Sequence, residues 1–338
     1  MTAPEPGSPA AELTALDEEL VARFSDALAR IWPEAGRGSD ARLGLAVSGG
    51  PDSTALLLLA AAALPGRVEA ATADHRLRPE NADEAVQVAR LCDRLGLPHR
   101  TLAVTVEPGN LQAEARAARY AAMGGWMVER GLSALATAHH ADDQAETVML
   151  RLNRASGVAG LAGARARGRV PGTDLLLLRP LLDWRRETLV KVVTDAGVTA
   201  AQDPSNADDR FDRARIRKAL MASDWLDIAA IAESAAHLAD ADAALDWAAR
   251  REWAEGVRKQ GLGLTYRPRA PRAIALRVLT RIVVELDGTE PRGSAVARLF
   301  DALCARSPAS IGGLTARPGV EAGFEEWSFA RAPQRRVK

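Results

Sequence analysis

Short apolar runs alternate with helical patterns through the first part of the chain. The runs are Leu43–Val47, Val68–Ala73, Thr101–Val106, Leu132–Ala138 and Leu175–Leu178. Between them, apolar residues recur at helical spacing over Ser53–Leu64, Asn81–Leu95, Leu111–Arg130 and Asp142–Asn153. A further helical pattern, Leu13–Trp32, precedes the first run. Strands that alternate with helices predict parallel pairing through crossovers, and so a doubly wound α/β sheet. Ligands of such sheets sit at the C-terminal ends of the strands. The chemistry-bearing residues gather at those ends: Ser48–Ser53 after the first run, Asp74-His75 after the second, His139-His140 after the fourth.

Beyond residue 220 the strand rhythm fades. Trp225–Arg258 reads as one long Ala-rich helix, and Ile274–Leu286 and Ser294–Cys304 read as two more. The pattern predicts a disordered leader over 1–12, an α/β domain over 13–220 and a smaller, mainly helical domain over 221–338.

Composition narrows the classes. Lys plus Arg and Asp plus Glu each number 44, so the formal net charge is zero. That excludes a strongly basic nucleic-acid binder and leaves room for local basic patches. The two cysteines, Cys92 and Cys304, form no C-x-x-C pair, which argues against a zinc knuckle, an iron–sulfur site or a disulfide framework. No Lys or Arg precedes Arg23, and the longest apolar run, Ala55–Leu64, is too short to span a membrane. A cytoplasmic protein without a membrane partner is the expectation.

The string Leu45–Ser53, LAVSGGPDS, runs a strand into a Ser-Gly-Gly turn and then a helix. Glycines let backbone N–H groups turn toward a ligand, and a helix N-terminus adds positive potential, so the loop suits an anion. Ser48 and Ser53 can donate to phosphate oxygens. Asp52 repels bare phosphate and fits Mg²⁺ or a ligand donor group. The loop lacks the G-K-[ST] of a Walker motif. Read blandly, it is a strand-to-helix turn with a capping side chain. In Thr137–Thr147, a helix starting near Asp142 puts Asp143 and Glu146 on one face beside His139. Such a trio could bind Mg²⁺, bind an ammonium or act as a base; equally, acidic residues simply suit a helix N-terminus.

These strings carry a resemblance. Ser48-Gly49-Gly50-Pro51-Asp52-Ser53 resembles the pyrophosphate loop of the AMP-forming ATP pyrophosphatases. Asp74-His75-Arg76-Leu77-Arg78 and His139-His140-Ala141-Asp142-Asp143-Gln144-Ala145-Glu146-Thr147 are similar to signatures of the tRNA(Ile)-lysidine synthetase family. So are Ala115–Tyr120, Arg179-Pro180-Leu181-Leu182, and Asp203-Pro204-Ser205-Asn206 followed by Arg213, Ile216 and Arg217. Ala155 stands where that family's glycine-rich loop often begins with Gly.

The resemblance covers about residues 40–220. It implies ATP and Mg²⁺ as cofactors, and tRNA(Ile) with a CAU anticodon and L-lysine as partners. A homodimer is a further option. In the implied reaction ATP adenylates the carbon-2 oxygen of the wobble cytidine. The lysine ε-amine then displaces AMP and gives lysidine. Ser48, Gly49, Gly50, Pro51, Asp52, Ser53, Asp74 and His75 would bind the nucleotide. Asp52 and Asp143 would meet Mg²⁺ or the lysine ammonium. His139, Asp143 and Glu146 would bind and deprotonate lysine, and Arg119, Arg213 and Arg217 would neutralise developing charge. Arg165, Arg167 and Arg169, with Arg210, Arg213, Arg215, Arg217 and Lys218, would offer phosphate contacts to RNA, and the 221–338 domain would bind tRNA. A tRNA thiolase, an amide-forming synthetase and a non-catalytic RNA-binding protein rank below this reading. The thiolase would want a Cys pair and the synthetase a glutaminase domain. The non-catalytic protein would release no pyrophosphate.

Overall fold

The computed structural model describes residues 14–36, 39–74, 79–105, 111–201 and 212–332. The leader expected at 1–12, His75 with Arg76 and Arg78, and residues 203–210 lie outside them. The chain divides into two compact units, 1–238 and 239–338.

The first unit holds a six-stranded sheet. Its strands are β1 (Leu43–Ala46), β2 (Val68–Asp74), β3 (His99–Ala103), β4 (Ala134–Ala136), β5 (Arg167–Arg169) and β6 (Leu176–Leu178). They lie in the order β3-β2-β1-β4-β6-β5, all parallel except β5, which runs antiparallel along the edge. The expected doubly wound sheet is therefore present. Strand β5 was not anticipated, because Arg167-Gly168-Arg169 carries no apolar signal.

Both sheet faces are covered. Helices α1 (Glu18–Ile31), α2 (Pro51–Ala63), α3 (Pro79–Leu95) and α7 (Arg186–Asp195) share one core with Leu43, Leu45, Val68 and Ala136. On the other face α4 (Leu111–Arg130) packs Tyr120, Met123, Trp126 and Met127 against Ala71, Leu135 and Leu177. Gly44 faces that side, and a side chain there would come within 2.8 Å of the Trp126 ring. Helix α2 is apolar all round, with Ala55 to Ala60 all buried, as befits a helix enclosed by core. The chain winds from β1 out to β2 and β3, then returns to place β4 on the other side of β1. This reversal opens a crevice at the C-terminal ends of β1 and β4.

Helices α5 (Ala141–Leu152), α6 (Val158–Leu161) and α8 (Asp212–Ala222) also belong to this unit. Ala141 and Ala145 of α5 pack with Leu220 of α8 and with Ile228 and Ala232. The last two belong to the long helix α9 (Ile228–Gly256). The division between units falls inside α9, whereas the sequence pattern placed a boundary ahead of it. The reason is that the first turns of α9 join the core of the first unit, while Ala249 and Trp253 join that of the second.

The second unit contains the two further expected helices, α10 (Arg272–Asp287) and α11 (Gly293–Cys304). It also contains a sheet that the sequence pattern did not predict. Strands β7 (Val257–Gln260), β8 (Gly263–Tyr266), β9 (Ala309–Ile311), β10 (Leu314–Glu321) and β11 (Phe324–Arg331) form an antiparallel sheet in the order β7-β8-β11-β10-β9. Its core centres on Trp327, which meets Tyr266 and Phe300 edge-on at 5.7 Å. Pro318 and Gly319 read as breakers, yet both lie within β10. Strand β9 pairs only as far as Ala316, so Pro318 sits where no neighbour on that side needs its missing N–H.

Candidate active site

A cavity of about 1060 Å³ occupies the crevice of the first unit. Its walls include Ser48, Gly50, Pro51, Asp52, Ser53, Arg119, His139, Asp143, Arg213 and Arg217, ten of the residues singled out in the sequence. Thr72, Ala73, Arg116, Tyr120 and Arg186 line it as well. Asp74 ends β2 just beyond Thr72 and Ala73 and is not part of the lining. Glu146 is also absent from the lining and is 1% exposed.

The phosphate-type loop closes on itself. The Ser48 N–H donates to Ser53 Oγ at 3.1 Å, and the Ser53 hydroxyl donates to the Gly50 carbonyl at 3.0 Å. Gly50 caps α2 and Pro51 opens it, where its missing N–H costs nothing. The N–H groups that follow lack intrahelical partners, so they and the helix dipole face the cavity mouth. The Gly49 carbonyl accepts the N–H of Ala201 at 2.9 Å, which straps the chain after α7 onto the loop. Gly49 has φ +88, a left-handed backbone that a side chain strains by about 1–2 kcal/mol. Gly50 has φ −70, and a Cβ there would meet Ser48 Oγ at an ordinary 3.8 Å. Gly49→Ala is therefore expected to raise the KM for ATP about tenfold while Gly50→Ala changes it little, as steady-state kinetics can check.

The N-terminus of α5 concentrates the charge. His140 caps this helix, and its backbone N–H donates to Asp143 Oδ2 at 3.2 Å. The His140 ring is buried among three carboxylates: Nε2 lies 3.5 Å from Asp52 and 3.6 Å from Asp143, and Nδ1 lies 3.5 Å from Asp142. Burial opposes its charge, but the close carboxylates of Asp142, Asp52 and Asp143 win, lifting it to about 9. His139 differs sharply. Burial, reinforced by Arg179, Arg116 and Arg213 and opposed by Asp143, lowers it to about 4. Its Nδ1 is 2.9 Å from the Thr137 hydroxyl.

The two histidines predict opposite pH dependence in the free protein. His140 binds its proton more tightly folded than unfolded, so its stabilisation is complete below its ordinary 6.5 and is lost as pH rises through about 9. His139 resists protonation when folded, so stability falls as pH drops from 6.5 toward about 4. Denaturant titrations across pH should show His140→Gln flattening the alkaline limb and His139→Gln flattening the acid limb.

The four acids have distinct neighbours. Asp142 Oδ2 accepts the Arg186 N–H at 2.9 Å and the Arg185 Nε–H at 3.4 Å, so it caps α7 from α5. Glu146 accepts Arg213 Nε–H and Arg217 Nε–H, each at 2.6 Å. Asp143 accepts Arg213 at 2.9 Å and faces the cavity. Burial opposes its charge, but His140, Arg213 and His139 hold its carboxyl below the usual range. Asp52 Oδ1 is buried and has no hydrogen-bond partner among the described residues. Arg213 and Arg217, four apart on α8, thus share one buried carboxylate.

The sequence placed His140 at the strand end without giving it a role, and did not single out Gln144, although both stand inside its most distinctive string. Gln144 is buried and grips Ala164 twice, donating to its carbonyl at 2.9 Å and accepting its N–H at 2.8 Å. The basic stretch expected to meet RNA is largely engaged within the protein. Arg167 forms a two-pronged pair with Glu34, Arg169 pairs with Asp174, and Arg165 donates to the Gly163 and Ala159 carbonyls.

The loop and its place at the switch point define a PP-loop ATP-binding protein, and the family model of the PP-loop domain matches residues 18–223. The U34-tRNA thiolase NcsA from Methanococcus maripaludis, solved with its [4Fe-4S] cluster, has a similar fold. Its TM-score is 0.53 at 13% identity, covering 65% of this chain and 78% of that one. Sequence similarity goes further. The tRNA(Ile)-lysidine synthase of Novosphingobium aromaticivorans is 47% identical over 301 residues, 87% of this chain and 90% of that one. The enzyme of the same name from Zymomonas mobilis subsp. mobilis is 41% identical over 302 residues, again 87% and 90%. The chain belongs to the tRNA(Ile)-lysidine synthase family. It is an ATP-dependent ligase of the lysidine-forming type.

Proposed function

We propose that the crevice carries out both halves of lysidine formation on the wobble cytidine of a CAU-anticodon tRNA(Ile), with L-lysine as the second substrate. One observation carries this reading: the anion-binding loop, the α5 carboxylate Asp143 and neutral His139 all line the same cavity. ATP would lie with its phosphates on Ser48–Ser53. The cytidine carbon-2 oxygen attacks the α-phosphorus and pyrophosphate leaves.

The lysine ε-ammonium must lose a proton before its nitrogen can attack carbon-2 and expel AMP. Among the acids, Asp142 is committed to α7 and Glu146 to two arginines. That leaves Asp52 and Asp143 on the cavity wall; Asp143 would hold the ammonium, and His139, an unprotonated imidazole at neutral pH, would take the proton. Glu146 is better suited to positioning Arg213 and Arg217 than to acting as a base. Arg119, on the cavity wall, supplies positive charge against the developing anion.

Among the described residues no group of three or more His, Cys, Asp or Glu forms a metal cage. Mg²⁺ commonly takes only one or two carboxylates and fills its shell with phosphate oxygens and water. Asp52, with its unpartnered buried oxygen, and Asp143 fit that sparse set. Bound there, the ion would offset phosphate charge. The second unit would contribute tRNA binding, and the enzyme would act in the cytoplasm. Among the described residues no helix is long and apolar enough to cross a membrane.

The test omits lysine. With ATP and unmodified tRNA(Ile), the protein should release pyrophosphate and retain AMP on the RNA, and added lysine should then free the AMP. AMP release that needs a sulfur donor instead would replace this reading with a thiolase.

A further inference from the structure

Arg186 lies on the wall of the phosphate loop, and none of the roles above uses its guanidinium. It is the first residue of α7. Its backbone N–H is held by Asp142, and Leu189, Val192 and Val193 seat α7 in the core beside α2. The base of the side chain is therefore fixed from two directions. The side chain lines the cavity together with Ser48, Gly50, Asp52 and Ser53.

Among the described residues its charge pairs with Asp52 alone, loosely and without a hydrogen bond. Nε stands 3.8 Å from Asp52 Oδ1, beyond hydrogen-bond reach, and that oxygen is itself buried without a hydrogen bond. Among the described residues the guanidinium donates no hydrogen bond. Arg185, Arg213 and Arg217 differ, since each donates to a carboxylate of α5. Moreover, Arg186 brings a cation to the N-terminus of its own helix and beside that of α2. Both ends are already positive, an arrangement that favours an anion between them.

We propose that Arg186 grips the β- and γ-phosphates of the nucleotide and stabilises pyrophosphate as it departs. This rests on the reading of the cavity as an ATP site. The carbon-2 oxygen forms a bond to the α-phosphorus, and the bond from that phosphorus to the α–β bridging oxygen breaks. The electron pair leaves on the bridging oxygen with pyrophosphate. The planar fork of Arg186 donates to that growing charge, as a guanidinium does well and an ammonium less well. Arg186 plays no part in the later attack by lysine.

The test compares wild type, Arg186→Ala and Arg186→Lys in the full chain. One measurement is calorimetric binding of inorganic pyrophosphate. The other is steady-state pyrophosphate release with ATP and tRNA(Ile). Arg186→Ala should weaken pyrophosphate binding about tenfold and lower kcat/KM for ATP about 100-fold, leaving the KM for lysine unchanged. Arg186→Lys should recover part of both losses. Wild-type values for pyrophosphate binding and for ATP in Arg186→Ala would overturn the proposal, as would a loss confined to the lysine step. The pyrophosphate measurement needs no tRNA. If the wild type transfers no lysine while Arg186→Ala still loses pyrophosphate, the functional reading falls and this one stands.

Discussion

Asp143→Asn is expected to reduce lysidine formation about 10³-fold while leaving the protein folded. Asn keeps an oxygen that can accept the His140 N–H, so the start of α5 retains its backbone bond. What disappears is the negative charge that faces the cavity and would hold the lysine ammonium. Asp143→Ala also loses the bond at the helix start, worth about 1 kcal/mol, and should be equally inactive. Single-turnover assays with saturating ATP, alongside thermal melts, separate the two effects. Normal lysine transfer by Asp143→Asn would remove Asp143 from the chemistry.

Glu146→Ala should fail differently, losing stability and activity together. Glu146 is 1% exposed and is gripped by two guanidiniums that cross from α8. Its removal strands Arg217, itself three-quarters covered, and frees Arg213, which is half exposed and can turn to water. Breaking a buried pair from one side costs about 3 kcal/mol, here toward the lower end because of Arg213. Urea titration should show the loss as a lower midpoint with little change in slope. Glu146→Gln keeps one good acceptor and should fall between the two. A Glu146→Ala protein of wild-type stability but no activity would instead assign Glu146 to the chemistry directly.

Much of this site was legible in the chain. The Ser48–Ser53 loop, His139 and Asp143 stand at strand ends, and the switch point of a parallel sheet brings such ends together. Arg213 and Arg217 were legible as charges. Their attachment to Glu146 was not, because it joins residues about seventy positions apart through the packing of α5 on α8. Nothing local distinguishes Asp142, Asp143 and Glu146. Only the arrival of Arg186, Arg213 and Arg217 from elsewhere gives each its own duty. The role of His140 was hidden for the same reason, since its three carboxylate neighbours include Asp52 from another loop. The sheet of the second unit was hidden by short strands. Arg258, Lys259 and Gln260 are exposed along β7, and Pro318 and Gly319 interrupt the alternation of β10. Its real signals were the alternations Leu314/Ala316 and Trp327/Phe329, each pair buried on one face.

The central claim is that one cavity couples ATP cleavage to lysine transfer. It is tested most directly by incubating the purified chain with ATP, radiolabelled lysine and unmodified CAU-anticodon tRNA(Ile), then digesting the RNA to nucleosides. Label in a single modified cytidine from the wobble position, dependent on ATP and absent with Asp143→Asn, is the predicted result. Intact ATP and unlabelled RNA under the same conditions would contradict it.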